Sequence, residues 1–331
     1  MKEKVMNLKK IGLGIVVACT QTLAFAADTT SSAKWPSSPI TVMVPGGPGT
    51  SPDLIGRIVG AKITALTGQS MIMEAKPAAG GIIAVQALLN KPSDGYTWLL
   101  GPNAMLAITP NINPNLPYDL DRDLIPITLL GSSSNVVVVT AQLPINSMAE
   151  LIAHARQNPG KLNFASAGTG TPAHLGGEML NQLANVKITH IPYKNSAAAL
   201  TDVAGGQVDI MITSSITAAP FVRNGKVRLL ASTGTTREAQ TPTLPTVGET
   251  IKDYQLTQWV SILTRSNTPP VVVERIHSLL VTALGDPKVV SDLASNGVTA
   301  KSMSLNEFKA FLTNERAFYR NIVRDAGLAD K

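Results

Sequence analysis

Two glycine-rich segments contain the residues of this sequence that are best suited to hold a negatively charged molecule. The first, residues 45–53, reads Pro-Gly-Gly-Pro-Gly-Thr-Ser-Pro-Asp, and the second, residues 163–172, ends in Gly-Thr-Gly-Thr-Pro. Each follows or contains a short β-type run and precedes a helical pattern. The first N–H groups of a helix lack internal partners, and the helix dipole adds partial positive charge there. Such a unit can therefore hold an anion without a cationic side chain.

Both segments carry signals for the start of a helix. Ser51 is predicted as an N-cap, with Pro52 at the first helical position and Asp53 in the first turn. Thr171 is predicted to cap the second helix, with Pro172 at its first position. The hydroxyls available for hydrogen bonding are those of Ser51, Ser166, Thr169 and Thr171. One such unit in each half of the chain predicts a crevice that grips the two ends of a dicarboxylate, or one carboxylate and another polar group.

The arrangement of strands and helices predicts how these segments are positioned. Short apolar strands alternate with helical stripes, which indicates an α/β fold with mostly parallel sheets. Two clusters of such units predict two lobes with a ligand cleft between them, and the chain is expected to cross between lobes at residues 136–140 and 258–263. The predicted domains are a signal peptide at residues 1–26, lobe 1 at residues 36–139 plus 259–331, and lobe 2 at residues 140–258.

The N-terminal residues predict export from the cytoplasm. A basic stretch with four lysines precedes an apolar run at residues 11–18, and Ala-Phe-Ala at residues 24–26 is typical of a cleavage site. Removal of residues 1–26 takes away four lysines and one glutamate, so the formal charge falls from +6 to +3. So mild a charge gives no reason to expect nucleic-acid binding. The mature protein is expected to be soluble and periplasmic, because no later stretch reaches the length of a membrane span.

The single cysteine, Cys19, allows a second interpretation of this region. Val-Val-Ala-Cys at residues 16–19 is similar to a bacterial lipobox, which would leave a lipid anchor on Cys19. Cleavage after Ala26 is favoured because the Ala-Phe-Ala site is well formed. The mature chain would then have no cysteine, which excludes disulfides and thiol catalysis.

Four single residues each allow a functional and a structural interpretation. Asp53 could meet an ammonium group of the ligand, but pairing with Arg57 one turn on is favoured. His174 could donate to the ligand or tune closure with pH, and a buried, satisfied histidine fits equally well. Tyr193 could line the cleft or lie in the core. Lys194 could supply a cation, but a solvated lysine is favoured.

A hydrolase is the main alternative from another functional class. Its nucleophile would be Ser166 or Ser51, its base His174, and its orienting acid Asp53 or Asp209. The sequence has no Gly-x-Ser-x-Gly elbow, and its four histidines lack the spacing of metal ligands. It also lacks a P-loop and a dinucleotide-binding motif, so no catalytic residue, metal or cofactor is expected. The receptor of an ATP-driven transporter would share the predicted fold.

Over nearly its whole mature length the chain resembles the Bug-type solute receptors of tripartite tricarboxylate transporters. The segments that carry the resemblance are residues 45–57, 74–81, 94–97, 166–175, 192–194, 205–209, 225–228 and 244–246. The resemblance implies a two-lobe periplasmic binding protein of the type II-like class that closes on its ligand and is not an enzyme. It also implies a monomer that takes a small carboxylate ligand and passes it to integral membrane transporter subunits.

In that family, backbone amides, hydroxyls and bridging waters hold the carboxylate. Carried over to this sequence, and combined with the glycine-rich segments, the resemblance predicts a ligand site at Gly49, Thr50, Ser51, Asp53, Asn103, Ala104, Ser166, Gly168, Thr169, Gly170, Thr171, His174 and Tyr193. The family often has an aromatic residue after the first-strand proline, where this chain has Gly46. This difference predicts a pocket that is more open at position 46. Dicarboxylates, tricarboxylates, aromatic acids and amino acids all fit a pocket of backbone donors.

Overall fold

The computed structural model describes residues 35–238 and 241–328 of the 331-residue chain. The predicted signal peptide and Cys19 lie outside these residues. Within them, no helix combines the length and the apolar character that a membrane crossing requires.

The N-terminal half begins with a strand, a helix and a second strand, in the order that the alternating pattern predicts. Its elements are β1 (Ile40–Val44), α1 (Ser51–Thr67), β2 (Met71–Ala75), α2 (Ile82–Leu89), β3 (Thr97–Pro102), α3 (Thr109–Ile112), α4 (Leu120–Asp123) and β4 (Leu124–Thr140). A 3₁₀ turn at Ala79–Gly81 precedes α2, and a π-helical turn at Ala104–Ile108 precedes α3. Helix α1 ends at Gly68, whose left-handed conformation lets its N–H donate to Thr64 O.

The remaining elements continue the same alternation and finish with three helices. They are α5 (Met148–Gln157), β5 (Asn163–Ser166), α6 (Pro172–Ala184), β6 (Thr189–Pro192), α7 (Ser196–Ala204), β7 (Ile210–Ser214), α8 (Ser215–Arg223), β8 (Val227–Ser232), β9 (Thr257–Arg265), α9 (Pro270–Leu284), α10 (Pro287–Ser295), β10 (Thr299–Ala300) and α11 (Leu305–Asp325). The mixed α/β class predicted from the sequence is confirmed.

The strands follow one hydrogen-bonded path in the order β2-β1-β3-β9-β4-β7-β5-β6, and β8 and β10 also pair with β4. Pairing is parallel for β1 with β2 and β3, and for β5 with β6 and β7. Every described ladder through β4 or β9 is antiparallel. The sheets are therefore mixed, and the prediction of mostly parallel sheets is wrong because β4 and β9 run antiparallel to their neighbours. Parallel pairing is confined to the strands that crossover helices connect.

These strands form two sheets, one with β1, β2, β3, β9 and β10 and one with β5, β6, β7 and β8, and strand β4 belongs to both. Strand β4 is longer than the predicted crossing at residues 136–140. Its first part, residues 124–134, pairs with β9, and its last part, residues 135–140, pairs with β7 and β8. Strand β9 lies between β3 and β4, so the chain returns to the sheet that contains β1. The exact lobe boundaries proposed from the sequence stay a prediction.

The core is divided by the alternation of side chains along the strands. Ile40 and Val42 of β1 pack with residues of α1 and α9 on one face, whereas Met43 packs with residues of α2 on the other. On β5 and β7, Phe164 and Ile210 belong to the same cluster as Met43. The other face of these two strands packs with residues of α7 and α8 in a third cluster. Because both faces are covered, the carboxyl ends of β1 and β5 are held in place, and the glycine-rich segments begin there.

Candidate functional site

Loop 1, residues 45–50, connects β1 to α1. The N-cap of α1 is Thr50, and the helix begins at Ser51, so the prediction of Ser51 as the cap is wrong by one residue. The Thr50 N–H and hydroxyl both donate to Gly47 O, at 3.3 and 2.7 Å. With its hydroxyl turned back into the loop, Thr50 makes no side-chain cap, and the first N–H groups of α1 are left without one.

Asp53 lies directly behind loop 1 and is only 4% exposed. Its Oδ2 accepts a hydrogen bond from the Gly49 N–H and another from Arg57 Nε, each at 2.9 Å. The hydrogen bond from Arg57 lowers the pKa of Asp53 below its usual range, and the Gly49 bond acts in the same direction. The carboxyl is therefore ionised at neutral pH, in the arrangement favoured from the sequence. Its contact with a ligand stays a prediction.

The space beside Gly46 is occupied by another residue of the same loop. A Cβ placed on Gly46 would lie 2.5 Å from Thr50 Oγ1, which is too close for two non-bonded atoms. The opening expected where the family often has an aromatic residue is thus filled by the Thr50 side chain on the inside of the loop.

A small pocket of about 40 Å³ lies against the start of α1. Ser51 and Pro52 line it on one side, and Asn103, at the end of β3, lines it on another. The Asn103 amide Nδ2 donates to Thr257 O at 3.1 Å and to the Tyr319 hydroxyl at 3.4 Å. Because the Thr257 carbonyl can only accept, the amide orientation is fixed, and Oδ1 is left as the group that can accept from a ligand. Further lining residues are Ser132, Ser133, Gln258 and Trp259.

Loop 2, residues 167–171, connects β5 to α6 and repeats the hydrogen bonds of loop 1. Thr171 is the N-cap, as predicted, and its N–H and hydroxyl donate to Gly168 O at 3.4 and 2.7 Å. The Thr171 oxygen also accepts from the His174 N–H at 3.4 Å. The Gly170 N–H donates to His174 Nδ1 at 3.0 Å, as the Gly49 N–H does to Asp53 four residues on.

The buried Ser166 and a second histidine, His190, are hydrogen-bonded to each other next to loop 2. Ser166 Oγ is 2.7 Å from His190 Nε2 and accepts from the Gly168 N–H at 3.1 Å. The His190 ring stacks on the His174 ring with centroids 3.8 Å apart and planes 17° apart. Burial, and secondarily the neighbouring His174, lowers the pKa of His190 to about 4, and burial also lowers the pKa of His174. Sequence reasoning missed His190.

The contacts around Ser166 differ from those that a hydrolase would need. Ser166 is 0% exposed, and its hydroxyl lies against His190 rather than against His174. Asp209 accepts from the Asn163 N–H at 2.8 Å, on the first residue of β5. With Ser166 as nucleophile, these contacts therefore do not form the predicted triad with His174 as base and Asp209 as acid.

Tyr193 uses its polar groups within the protein. Its hydroxyl donates to Asp202 Oδ2 at 2.7 Å, and its N–H donates to Ser166 O at 3.0 Å. Burial, followed by the Asp202 carboxylate, raises the pKa of Tyr193 to about 12. The contact of Tyr193 with a ligand stays a prediction, as does that of Ala104, which begins the π-helical turn after Asn103.

The predicted site residues form two groups. Ser51 and Asn103 share the pocket at α1, and the residues from Ser166 to His174 form a hydrogen-bonded cluster at α6. Loop 2 reaches the N-terminal half at α3, because a Cβ on Gly170 would lie 3.4 Å from Ile112 Cδ1. A ligand held by both groups at once stays a prediction.

Comparison with known proteins places this geometry in a family. Residues 55–328 match the family described as the tripartite tricarboxylate transporter family receptor. A UPF0065 protein of Pseudomonas sp. strain P51 is 36% identical over 280 residues, which are 82% of this chain and 83% of that protein. Protein BugT of Bordetella pertussis is 29% identical over 324 residues, which are 97% of this chain and 99% of that protein.

Solved structures show the same fold. R. palustris Rpa4515 with adipate has a TM-score of 0.76 and 28% identity, covering 89% of this chain and 99% of that one. The periplasmic binding protein BugD has a TM-score of 0.72 and 26% identity, with 90% and 100% covered. MatC from Rhodopseudomonas palustris with bound malate has a TM-score of 0.71 and 25% identity, with 87% and 100% covered.

Proposed function

Because the chain belongs to the tripartite tricarboxylate transporter receptor family, we propose that it captures a small organic carboxylate in the periplasm for the membrane subunits of a tripartite secondary transporter. The periplasmic location is supported by the exported type of N-terminus and by the location given for BugD. Adipate and malate, the ligands of two similar structures, make a dicarboxylate the first candidate. The receptor is proposed to act as a monomer.

The observation that carries this proposal is the matching pair of loops at the N-termini of α1 and α6. Their glycine N–H groups are already used, since those of Gly49, Gly168 and Gly170 donate to Asp53, Ser166 and His174. The Thr50 N–H is also used, because it donates to Gly47 O, so we assign to the ligand the nearest N–H group in each loop region that has no such partner.

Those groups are the N–H of Ser51 in loop 1's helix and the N–H of Thr169 in loop 2. Both residues are exposed, and among the hydrogen bonds of the described residues neither N–H has a partner within the chain. Hydrogen bonds from N–H groups to a carboxylate are stronger than bonds between neutral groups, and the dipole of the 17-residue α1 adds to that at Ser51. We therefore propose that these two groups bind the carboxylates and that Gly49, Gly168 and Gly170 shape the loops.

A substitution at Ser51 separates the amide from the hydroxyl. Ser51→Pro removes the N–H at the first position of α1, where proline is tolerated, and the preceding Thr50 already has the extended backbone that proline prefers. Ser51→Ala keeps the N–H and removes only the hydroxyl. Calorimetric titration of residues 27–331 with adipate and with malate should show binding about tenfold weaker for Ser51→Pro and within about threefold of wild type for Ser51→Ala.

The same titration tests the ligand class. Binding of a sugar or a polyamine to the wild-type protein, with no binding of any dicarboxylate, tricarboxylate, aromatic acid or amino acid, would contradict the proposal. Equal losses of affinity in Ser51→Pro and Ser51→Ala would assign the contact to the hydroxyl instead of the amide.

We propose that the protein is a receptor rather than a hydrolase. In support, the Ser166 hydroxyl is fully buried and lies between His190 and the backbone of Gly168, where a substrate carbonyl has no room to approach. Turnover of any ester or amide by the wild-type protein that Ser166→Ala abolishes would overturn this part of the proposal.

A further inference from the structure

The two histidines beneath loop 2 have contacts that the binding of a carboxylate does not by itself require. His174 lies on α6 and His190 on β6, and their rings stack face to face with centroids 3.8 Å apart. The Phe164 ring of β5 lies beside both histidines, with its centroid 4.9 Å from that of His190 and 6.4 Å from that of His174. His174 is hydrogen-bonded to Gly170 of loop 2, and His190 is hydrogen-bonded to Ser166, the residue that precedes the loop.

The hydrogen bond at His174 requires a neutral ring. The Gly170 N–H donates to Nδ1 at 3.0 Å, so Nδ1 must carry a lone pair, and the remaining ring proton is on Nε2. Protonation of Nδ1 would place two N–H groups opposite each other and break this bond. Loop 2 would then lose the contact that fixes Gly170, the residue after Thr169.

The bond at His190 fixes the other end of the loop. His190 Nε2 is 2.7 Å from Ser166 Oγ, which also bonds the N–H and the C=O of Gly168. A charge on either ring would be repelled by a charge on the other at their stacking distance. The pair is therefore stable as two neutral rings, and the structure joins it to loop 2 at both Gly168 and Gly170.

Among the described residues, one carboxylate is recorded in contact with the pair. Glu178, one turn along α6, has Oε1 3.7 Å from His174 Nε2, and burial raises the pKa of Glu178. Other titratable groups on neighbouring elements are Asp209 before β7, Tyr254 against Gly176, and Arg320 and Arg324 on α11. The pKa of both histidines is lowered, chiefly by burial, so the nearby Glu178 does not offset the cost of a charged ring.

We propose that His174 and His190 are positioning residues of the ligand site, which hold loop 2 in its binding shape as stacked neutral rings and release it when they are protonated. This inference rests on the proposed function, because it assigns loop 2 to the ligand. Its consequence is that the receptor retains ligand at neutral pH and loses it in acid more steeply than titration of the ligand alone would cause.

The first test uses the wild-type protein without ligand. Nuclear magnetic resonance on residues 27–331, titrated from about pH 8 to about pH 4, follows the Gly170 amide and the ring nitrogens of all four histidines. The expected result is an unprotonated His174 Nδ1 at neutral pH and a Gly170 amide shift that follows the protonation of the pair. A Gly170 amide that does not respond while the pair becomes protonated would overturn the proposal.

The second test uses substitutions that keep the hydrogen bonds and remove the titration. In His174→Asn the side-chain oxygen can accept from the Gly170 N–H at any pH, and in His190→Gln the amide can reach Ser166. His154→Gln is the matched control, because His154 lies on α5 and its described hydrogen bonds join it to Asn158. Affinity for adipate is measured for each protein between about pH 7.5 and about pH 4.5.

The wild type and His154→Gln should weaken at least about fivefold more than the double variant His174→Asn/His190→Gln over this range. Protonation of adipate affects all the proteins equally, so it cancels in the comparison. A shared pH profile for wild type and double variant would overturn the proposal. If adipate binds none of the proteins at any pH, the ligand assignment fails, whereas the Gly170 titration still decides the role of the histidines.

Discussion

Loop 1 and loop 2 make the same hydrogen bonds around different side chains. In each, the N-cap threonine donates through both its N–H and its hydroxyl to the glycine carbonyl three residues back. In each, the glycine before the threonine has a positive φ, 80° for Gly49 and 77° for Gly170, and its N–H donates to the side chain four residues on. The backbone geometry is thus common to the two loops.

The acceptor of that last hydrogen bond is where the loops differ. In loop 1 it is the ionised carboxylate of Asp53, which Arg57 keeps charged. In loop 2 it is the neutral ring of His174, stacked on a second histidine. The same turn is therefore held by a fixed charge in one half of the molecule and by a neutral, titratable group in the other, so acid should affect loop 2 first.

The largest expected effect compares the sixth residue of each helix, Gly56 in α1 and Gly177 in α6. A Cβ on Gly177 would overlap carbon atoms of the Phe164 ring, whereas one on Gly56 meets the movable ends of Leu100 and Met73. Gly177→Ala should lower the free energy of unfolding by about 3 kcal/mol. Gly56→Ala should change it by less than about 1 kcal/mol, because alanine also favours the helix. Urea denaturation measures both, and equal losses would contradict the assignment of Phe164 as the rigid neighbour.

The next effect is the dependence of stability on pH. The pKa of His190 is about 4 in the folded protein, below its ordinary value of 6.5, so the unfolded chain takes up protons first as pH falls. The contribution of neutral His190 to the free energy of unfolding should be fully present above pH 6.5. It should fall by about 1–2 kcal/mol as the pH is lowered towards 4, and this energy allows for partial solvent screening. His190→Gln should flatten this decline, and His154→Gln should not. Thermal unfolding at a series of pH values provides the measurement.

A smaller effect is expected at Asp53. Asp53→Asn keeps an oxygen for the Gly49 N–H but removes the charge that pairs with Arg57 and the helix dipole, at a cost of about 1 kcal/mol at neutral pH. Because the folded pKa of Asp53 lies below 3.8, this contribution is present above pH 3.8 and is lost as pH falls further.

The matched control is Asp292→Asn, which removes an i,i+4 ion pair with Lys288 whose two side chains are 42% and 81% exposed. It should cost less than about 0.5 kcal/mol, since exposed pairs contribute little. If Asp292→Asn lowered the free energy of unfolding as much as Asp53→Asn, the burial of Asp53 at loop 1 would not strengthen its ion pair.

The smallest effect concerns the two N-caps. Thr50→Ala and Thr171→Ala both remove a hydroxyl that bonds a glycine carbonyl, but only Thr171 also accepts from a helix N–H. Thr171→Ala should therefore cost about 0.5 kcal/mol more than Thr50→Ala in chemical denaturation. The reverse order would indicate that the Thr50 side chain, packed against Gly46, contributes more than the cap.

The sequence was sufficient for the fold class and for the location of both loops. Glycines, a capping threonine and a proline at the first helical position define loop 2 locally, and Thr171 and Pro172 are where they were predicted. In loop 1 the adjacent Thr50 and Ser51 are both good caps, and local pattern alone favours the wrong one. What decides between them is the bond from Thr50 to Gly47, which forms only in the folded turn.

The histidine pair could not be predicted from the sequence because it depends on strand pairing. His190 comes beside Phe164 through the parallel register of β5 and β6, and that register is set by packing across the sheet. His174, sixteen residues earlier, then meets it because α6 lies over the same strands. One sequence feature does point to His190. It lies in the strand that follows β5, after a single crossover helix, and β5 ends in Ser166.

The strand β4 has a consequence for how this molecule denatures. This single strand of 17 residues pairs with strands of both sheets. Unfolding of either sheet therefore removes β4 and its hydrogen bonds from the other. Two lobes joined by flexible linkers could melt separately, each with its own heat-absorption peak. Here the shared strand couples them, and scanning calorimetry of the ligand-free protein should record a single peak whose van't Hoff and calorimetric enthalpies agree.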